Sequence, residues 1–480
     1  MTSCRRDVES VVCGLCWSTV RRTGAPAPSV AGAVEAPPPA CGRRAHLRRR
    51  LPHGTAPETR QTWSYGSGDG GSALLCKKRL SLRIALAIAR DGGWRAEHVR
   101  ISTVTSPTGE SRYIAGAFSS ACGTTILVLL VLTLSGWNVE AIGDDICWMK
   151  VGPEGTVRAI NPEDGFFGVA LGTNAASNPD ARAMRSSNTV FANTARTADG
   201  DEWWEGLTDE TPEHLVDGHA NSDDPRSSAP AAHPNSRVAT PLAHGSVAPE
   251  WVDPAGVPGA AVFFEGRRAS AVSLVFEASG WADGVFLGST MASEVTAAAT
   301  GAVGKLRRET FALLSFCGDH MADYFAHWLS FAERTVPEKL PWIDSVNWLR
   351  TGTDGRSLWP GFGENSRVLA RIVERCAGRA AAGETPIGIL PAPGALDLSG
   401  LEIAEAQLAT LLDVEATEWR SEPDAFRAHD ATFGGGLPSA LGDQLDALAA
   451  RLEASTLSAT LPPPAQHSRA NPPSGRKHDG

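Results

Sequence analysis

The chain has 480 residues, and its formal net charge is −10 because 54 Asp and Glu outnumber 44 Lys and Arg. This length suffices for a large two-domain enzyme, and the acidic balance does not indicate a nucleic-acid partner. The longest apolar run, residues 126–134, is too short to span a bilayer, so no membrane partner is expected either. The nine cysteines are scattered and odd in number, which favours reduced thiols in a cytoplasmic protein over a disulfide framework.

Three regions follow from composition. Residues 1–60 are rich in Arg and Pro and lack apolar periodicity, so we expect a mostly disordered segment unrelated to the rest. Cys13 and Cys16 form a CxxC that could belong to a zinc site, but ordinary thiols are the favoured interpretation because no second paired motif has suitable spacing. Residues 61–455 form the predicted globular region, and the Pro-rich residues 456–480 a disordered tail.

The first half of the globular region alternates strands, glycine turns and helices. We predict a helix over residues 80–90, a strand over 111–118, and a turn at Gly123 that enters another helix. A short strand over residues 139–142 then ends in Gly143-Asp144-Asp145. A strand, a loop and a helix followed by a strand ending in two aspartates are typical of a mononucleotide-binding α/β sheet.

The second half continues with strands and then helices. Trp203 and Trp204 are expected on a surface hairpin, and residues 257–290 read as strands. Residues 291–304 are rich in small side chains, which suits a mobile lid. Helices are predicted in the four segments 311–333, 366–378, 401–411 and 441–452.

The strongest local motif is Phe118-Ser119-Ser120-Ala121-Cys122-Gly123-Thr124-Thr125, about twenty residues before the aspartate pair. Backbone N–H groups at such a helix start can cradle phosphates. Thr125 could hold a nucleotide-bound metal together with an aspartate of the neighbouring strand. Thr124 stands where a phosphate loop usually has lysine, so an ordinary strand–turn–helix is an equal alternative.

Three weaker constellations accompany this motif. Lys78, His98 and Asp145 could bind a metal, although a lone histidine such as His98 is more often structural. Arginines in two turns could bind carboxylates or phosphates, or could be solvated: these are Arg237 in His233-Pro234-Asn235-Ser236-Arg237 and Arg267 in Gly266-Arg267-Arg268. Aromatic residues with an asparagine could sandwich a base or pack the core: these are Trp348, Phe362 and Asn365.

In this order the segments resemble the GTP-type phosphoenolpyruvate carboxykinases, especially those of actinobacteria. The resemblance extends over roughly residues 63–452. It is carried by Tyr65-Gly66-Ser67-Gly68, Leu82-Arg83-Ile84-Ala85, Gly143-Asp144-Asp145-Ile146, Asn161-Pro162-Glu163-Asp164-Gly165-Phe166-Phe167-Gly168-Val169, residues 232–237, Gly266-Arg267-Arg268, Ala326-His327-Trp328 and residues 359–369.

The resemblance implies an α/β fold of this type with mixed sheets, lacking most of the family's N-terminal domain. It implies conversion of oxaloacetate and GTP to phosphoenolpyruvate, carbon dioxide and GDP in gluconeogenesis, by a monomer whose partners are small molecules. It also implies one Mn²⁺ per chain, and Mg²⁺ with GTP.

The resemblance assigns residues to four roles. The metal residues are Lys78, His98, Asp145 and Thr125, and the substrate residues are Gly71, Ser120, Asn235 and Arg237. The nucleotide residues are Ala121, Cys122, Gly123, Thr124, Thr125, Ile126, Asp144, Arg267, Trp348, Phe362 and Asn365. The catalytic residues are Cys122, Arg237 and Arg267.

Five positions depart from the family pattern. Thr124 replaces a lysine, Ile126 an asparagine and Asp69 a substrate-facing tyrosine, while Leu349 and Ser357 replace two phenylalanines that clamp guanine. The changes at Thr124 and Asp69 make the site less favourable for anionic ligands. The alternative to an active carboxykinase is therefore a catalytically inactive protein that retains metal or substrate binding.

Overall fold

A computed structural model describes residues 53–56, 61–64, 82–119, 133–163, 165–170, 174, 189–192, 194–216, 237–241, 247–295, 304–314 and 316–460. Within these ranges the α-helices are α1 (Ala85–Asp91), α2 (Trp281–Thr290), α3 (Met321–Leu329), α4 (Asn365–Cys376), α5 (Glu405–Leu412), α6 (Ala416–Trp419), α7 (Glu422–Asp430) and α8 (Ser439–Thr460). Short 3-10 helices span Pro249–Val252, Thr310–Ala312, Pro337–Lys339, Phe362–Glu364 and Ala431–Gly436.

The strands in the same ranges are β1 (His53–Ala56), β2 (Gln61–Ser64), β3 (Arg95–Glu97), β4 (Arg100–Thr105), β5 (Ser111–Phe118), β6 (Asn138–Ala141), β7 (Cys147–Val151), β8 (Val157–Ile160), β9 (Gly165–Val169), β10 (Val190–Ala192), β11 (Ala195–Arg196), β12 (Glu202–Trp203), β13 (Arg237–Pro241), β14 (Val257–Glu265), β15 (Val275–Glu277), β16 (Ala292–Glu294), β17 (Leu306–Arg308), β18 (Trp342–Val346), β19 (Ala382–Thr385) and β20 (Gly388–Pro391).

A large mixed sheet organises the fold. Its main path runs β19-β20-β15-β18-β14-β5-β4-β6, and β8, which pairs with β14, brings in β7 and β3. At its centre β14 is parallel to both β5 and β18, whereas β4 is antiparallel to β5. The predicted mixed α/β architecture is confirmed.

Helices cover both faces of this sheet. Side chains alternate along a strand, so Phe263 of β14 joins a cluster with Leu369 of α4, while the next residue, Phe264, joins one with Phe286 of α2 and Trp328 of α3. Because both faces are buried, the central strands read as continuous apolar runs rather than alternating ones. Functional groups therefore have to emerge at the ends of the strands.

Several predicted elements match the structure closely. The strand over 111–118 is β5, the short strand before the aspartate pair is β6, and the helix over 80–90 corresponds to α1. Helix α4 starts and ends within two residues of the prediction. None of the described helices combines the length and apolar character that a membrane span requires.

Other predictions were wrong for identifiable reasons. Residues 281–290, expected as strand, form α2, whose Gly284 and Gly288 lie so close to Ile343 and Phe311 that a Cβ would clash. The long helix over 311–333 shrinks to α3, because Phe311 and Ala312 have positive φ angles of 53° and a Cβ at Gly318 would clash with the Arg83 carbonyl. Trp203 and Trp204, expected at the surface, are 3% and 2% exposed in a small core with Leu215.

Candidate active site

The site lies where the three parallel strands end. Phe118, Glu265 and Val346 are the last residues of β5, β14 and β18, and they are neighbours in register. The segments that follow these residues therefore start side by side: the predicted phosphate loop, the turn 266–268 and Asn347-Trp348. In open α/β sheets, ligands bind at this carboxyl edge.

Two antiparallel strands bring further groups to the same edge. β4 begins at Arg100 opposite Gly116 of β5, and β6 ends at Ala141 opposite Ser102 of β4. His98, which precedes β4, and Asp145, which follows β6, are thereby placed together although 47 positions separate them. This proximity depends on long-range pairing and not on local sequence.

The orientation of His98 is defined by two contacts. Its Nδ1 lies 2.7 Å from the Ala312 carbonyl oxygen, and its Nε2 lies 3.0 Å from Oδ1 of Asp145. A carbonyl oxygen can only accept, so Nδ1 carries the proton, and in a neutral ring Nε2 directs a lone pair at the carboxylate. Two acceptors face each other favourably only when a proton or a cation lies between them.

His98 Nε2 and Asp145 Oδ1 are placed as two ligands of a divalent cation would be. Two adjacent ligands of an octahedral ion with bonds of about 2.1 Å lie roughly 3.0 Å apart, and a carbonyl bonded to the far ring nitrogen is the usual support for a metal-binding histidine. The described residues contain no group of three or more His, Cys, Asp or Glu side chains suited to a metal. The predicted third ligand, Lys78, lies outside the described ranges.

The aspartate loop is held by Glu163, which the predicted site did not include. Its Oε2 accepts the backbone N–H groups of Asp145 at 2.8 Å and Ile146 at 3.0 Å. Asn161 in turn fixes Glu163, accepting its N–H and donating to its carbonyl oxygen, both at 2.9 Å. Trp251 donates to the same carbonyl oxygen at 3.1 Å. These bonds set the position of the Asp145 backbone.

Arg100 compensates part of the negative charge of the aspartate loop. The site predicted from the sequence did not include this residue. Burial lowers the pKa of its guanidinium to about 10, an effect opposed by the nearby carboxylates of Asp144, Glu163 and Asp145. Asp144 itself is 3% exposed. A buried cation beside three carboxylates reduces their mutual repulsion and lets them remain together.

The turn 266–268 approaches β16 closely. A Cβ at Gly266 would clash with the Ala292 carbonyl oxygen, which explains the glycine. The Arg267 N–H donates to Ser293 Oγ at 3.2 Å, and the Arg267 carbonyl accepts the N–H of Glu294 at 2.9 Å. The backbone of this predicted phosphate-binding arginine is therefore bonded directly to the β16–β17 hairpin.

Asn347 links the same turn to the end of β18. Its Oδ1 accepts the Arg268 N–H at 3.3 Å, and its Nδ2 donates to the carbonyls of Arg268 and Val272, each at 2.9 Å. The side chain is fully buried. Asn347 therefore fixes two neighbouring site loops relative to each other.

Packing contacts dominate at two of the predicted base-binding residues. Trp348 is 4% exposed, and its ring stacks on Phe118 with centroids 6.2 Å apart. Asn365, at the start of α4, is 5% exposed, and its Oδ1 accepts from the indole of Trp359 at 2.9 Å. Both side chains therefore make core contacts in this structure. This agrees with the alternative that the sequence left open, in which these residues pack the core and do not sandwich a base.

The structure describes the side chains of six of the predicted site residues: His98, Asp144, Asp145, Arg267, Trp348 and Asn365. Outside the described residues lie Gly71, Lys78, Ser120, Ala121, Cys122, Gly123, Thr124, Thr125, Ile126 and Asn235. Arg237 begins β13 and Phe362 begins a 3-10 helix, but their side chains also lie outside what the structure describes. The roles of all the predicted site residues, inside and outside the described ranges, stay predictions.

Two family descriptions match the sequence. Residues 94–451 match the phosphoenolpyruvate carboxykinase C-terminal P-loop domain, and residues 48–90 match the phosphoenolpyruvate carboxykinase N-terminal domain. The second match shows that part of the N-terminal domain is present. It starts inside the segment 1–60 and ends inside the predicted catalytic region, whose boundaries of 61 and 455 stay predictions.

Curated relatives are similar over most of the chain. A protein of Renibacterium salmoninarum named phosphoenolpyruvate carboxykinase [GTP] is 50% identical over 398 residues, covering 82% of this chain and 66% of the relative. Arthrobacter sp. (strain FB24) has one that is 50% identical over 398 residues, covering 82% and 65%. That of Treponema pallidum (strain Nichols) is 48% identical over 408 residues, covering 83% and 66%.

The chain thus spans about two thirds of the length of these relatives. The match to the C-terminal domain nevertheless covers most of the chain, including the central sheet and the carboxyl edge just described. The chain belongs to the phosphoenolpyruvate carboxykinase family of the GTP-dependent type.

Proposed function

We propose that this chain binds a divalent cation at His98 and Asp145 and uses it to decarboxylate oxaloacetate, with GTP as phosphoryl donor for phosphoenolpyruvate formation. The observation that carries the proposal is the 3.0 Å approach of His98 Nε2 to Asp145 Oδ1 at the carboxyl edge of the parallel strands. Small molecules are its proposed partners, and we propose manganese as the cation and a cytoplasmic monomer as the working form.

Each residue near the cation has a distinct task. The Ala312 carbonyl keeps the proton on Nδ1 of His98, so that Nε2 offers a lone pair, and Glu163 orients the backbone of Asp145. Lys78 supplies the third proposed ligand. When bound, the cation would stabilise the negative charge of the enolate left by decarboxylation.

Substrate and nucleotide then meet at adjacent loops. Arg237 and Asn235 are proposed to hold the carboxylates of the keto acid, and Arg267 to neutralise the phosphate chain. Arg267 follows β14, whose last residue, Glu265, pairs with Phe118 at the end of β5, and the predicted phosphate loop continues the chain from there. Such convergence suits an in-line attack of the enolate oxygen on the γ-phosphate.

The cation site is tested by water proton relaxation with Mn²⁺ on the purified protein. Asp145→Asn removes an anionic ligand and should weaken manganese binding by at least about tenfold. Asp209→Asn, the same change at an exposed position, should bind like the wild type. Equal binding by Asp145→Asn and the wild type would refute the cation site.

The reaction is tested by oxaloacetate-dependent consumption of GTP in the presence of manganese. Wild type and Asp209→Asn should show the same rate, and Asp145→Asn should show none above background. Manganese binding without turnover would favour the second candidate, an inactive protein that retains metal binding. The replacement of the phosphate-loop lysine by Thr124 is the observation that keeps this second candidate in consideration.

A further inference from the structure

Glu422, the first residue of α7, lies between two arginines from separate parts of the chain. Its Oε1 is 2.5 Å from Arg268, and its Oε2 is 3.2 Å from Arg308. All three side chains are largely buried, with 10% of Glu422, 12% of Arg268 and 14% of Arg308 exposed. Both carboxylate oxygens are thus used in charge-assisted bonds within a partly desolvated cluster.

We call the contacts of Glu422 with Arg268 and Arg308 the Glu422 bridge, and each of the two contacts is one arm. The first arm, to Arg268, reaches the turn 266–268. Arg268 directly follows Arg267, and its guanidinium is held by Glu422. The adjacent α6 segment holds the same loop: Glu418 accepts the Ala271 N–H at 2.7 Å, and Trp419 donates to the Ala271 carbonyl at 2.9 Å. The Arg268 side chain is therefore engaged by the protein itself.

The second arm reaches the β16–β17 hairpin. Arg308 ends β17, and besides Glu422 it contacts the Thr290 carbonyl at 2.9 Å and the ring of Phe426, 4.6 Å from its centroid. β17 pairs with β16, whose Ser293 and Glu294 bond to the backbone of Arg267. Both arms of the Glu422 bridge consequently end at elements that fix Arg267.

The charge state of Glu422 is consistent with this arrangement. Burial by itself would raise the pKa of the carboxyl, but Arg268 and Arg308 outweigh burial, and the pKa is lowered below its usual value. The carboxylate is therefore ionised at neutral pH, and the net charge of the three-residue cluster is +1.

We propose that Glu422 is a positioning residue for Arg267, which it holds in place through Arg268 on one side and the β16–β17 hairpin on the other. The inference rests on the proposed role of Arg267 in binding the phosphates of GTP. It assigns a function to α7, a helix about 155 residues further along the chain than Arg267, and predicts that changes in α7 act on phosphate binding without touching the ligand.

The first test needs no ligand. Amide hydrogen exchange of the Arg267 and Glu294 N–H groups should become about tenfold faster in Glu422→Gln, since both amides lose the support of the bridge. The amides of β14 serve as an internal reference and should not change. Asp424→Asn, the same loss of charge at an exposed site of α7, is the matched control and should match the wild type at every amide.

A second variant, Glu422→Asp, keeps the proposal testable if Glu422→Gln fails to fold. It keeps the charge but is one methylene shorter, so it can reach one arginine and should give exchange rates between those of wild type and Glu422→Gln. Unchanged exchange at Arg267 and Glu294 in both variants would overturn the proposal. A uniform acceleration that includes β14 would also overturn it, because it would identify Glu422 as a general stabilising residue.

The second test connects the bridge to phosphates. By calorimetry, Glu422→Gln should bind GTP about tenfold more weakly than the wild type, whereas guanosine, which lacks phosphates, should bind equally to both. A parallel loss for both ligands would contradict a role through Arg267. If the wild type itself binds no GTP, the nucleotide part of the proposed function fails, and the exchange experiment still decides the positioning role.

Discussion

At the scale of single residues, the two half-reactions make different demands. In the proposed reaction, decarboxylation needs a cation on the keto acid, and the three proposed ligands Lys78, His98 and Asp145 are all present in the sequence. Phosphoryl transfer also needs positive charge beside the β- and γ-phosphates, and Thr124 stands at the position where the family has the lysine that supplies it. Asp69 stands where the family has a substrate-facing tyrosine, and by that resemblance its carboxylate would face an anionic substrate. Like charges about 4 Å apart repel by roughly 4 kcal/mol at an effective dielectric of 20. We therefore expect phosphoryl transfer to be impaired more than decarboxylation.

Restoring the family residues should shift the products. The double change Thr124→Lys with Asp69→Tyr should raise the ratio of phosphoenolpyruvate to pyruvate by at least about tenfold, because it supplies charge to the transferring phosphoryl group and removes a repulsive carboxylate. Chromatography of both products after incubation with oxaloacetate, GTP and Mn²⁺ measures this ratio. Thr108→Lys adds the same charge in an exposed turn and should leave the ratio unchanged. A wild type that already makes mostly phosphoenolpyruvate would contradict the expectation.

At the scale of elements, the site depends on how loops are held at the ends of strands. The sequence predicted β5, β6 and the aspartate pair correctly, because strand composition and turn residues are local signals. It could not predict that Glu163 binds the backbone of Asp145 or that Arg100 lies beside three carboxylates, because such contacts depend on the pairing of distant strands. The spacing of His98 and Asp145 does not identify them as a pair, and only the family resemblance connects them.

The irregular turn at 310–312 illustrates the same limit. Residues 311–333 have helical apolar spacing, yet Phe311 and Ala312 adopt the left-handed conformation, which is unfavourable for residues with a Cβ. The Phe311 ring is fully buried among aromatic side chains, and that packing offsets the backbone strain. The turn presents the Ala312 carbonyl oxygen to Nδ1 of His98. The helix expected from apolar spacing is therefore interrupted where the candidate site has this hydrogen-bond acceptor.

The hydrogen bonds of Glu163 to the aspartate loop should affect both stability and manganese binding. Glu163→Gln keeps an acceptor of the same shape but removes the charge, so the free energy of unfolding should fall by about 2 kcal/mol, and manganese affinity by roughly tenfold, as expected for a group that orients a ligand. Denaturant unfolding and proton relaxation measure the two effects. Glu154→Gln, at a half-exposed surface carboxylate, should change neither. A loss of stability without any loss of manganese affinity would show that Glu163 does not act through Asp145.

At the scale of the whole molecule, a buried ion cluster joins the central sheet to α4. Arg371 of α4 lies 3.1 Å from Oδ1 of Asp344 in β18, and Arg375 lies 2.9 Å from Oε2 of Glu277 in β15. β18 leads into Trp348 and α4 begins at Asn365, so these contacts fix the distance between the two halves of the proposed base site. Burial raises the pKa of Asp344 to about 7, with Arg371 opposing and Glu277 adding to the effect.

This raised pKa should contribute a pH dependence to the stability of the fold. Below about pH 4 the folded and unfolded states both hold the Asp344 proton, and between about pH 4 and 7 the folded state alone retains it. The folded state thus binds more protons in this window, so the free energy of unfolding should fall as pH rises, by about 2 kcal/mol between pH 5 and 8 from this group. The titratable and charged groups that face Asp344 are Glu277, Arg371, Arg375 and Cys376.

Asp344→Asn isolates this contribution, because asparagine has nearly the same shape and does not ionise. Denaturant unfolding from pH 5 to 8 should show a smaller decrease in stability for Asp344→Asn than for the wild type. Asp354→Asn, at an exposed side chain, should follow the wild type across the range. If wild type and Asp344→Asn lose stability in parallel, the Asp344 carboxyl does not take up a proton in this window. Its pairing with Arg371 would then hold it ionised, and the cluster would connect sheet and helix equally at all these pH values.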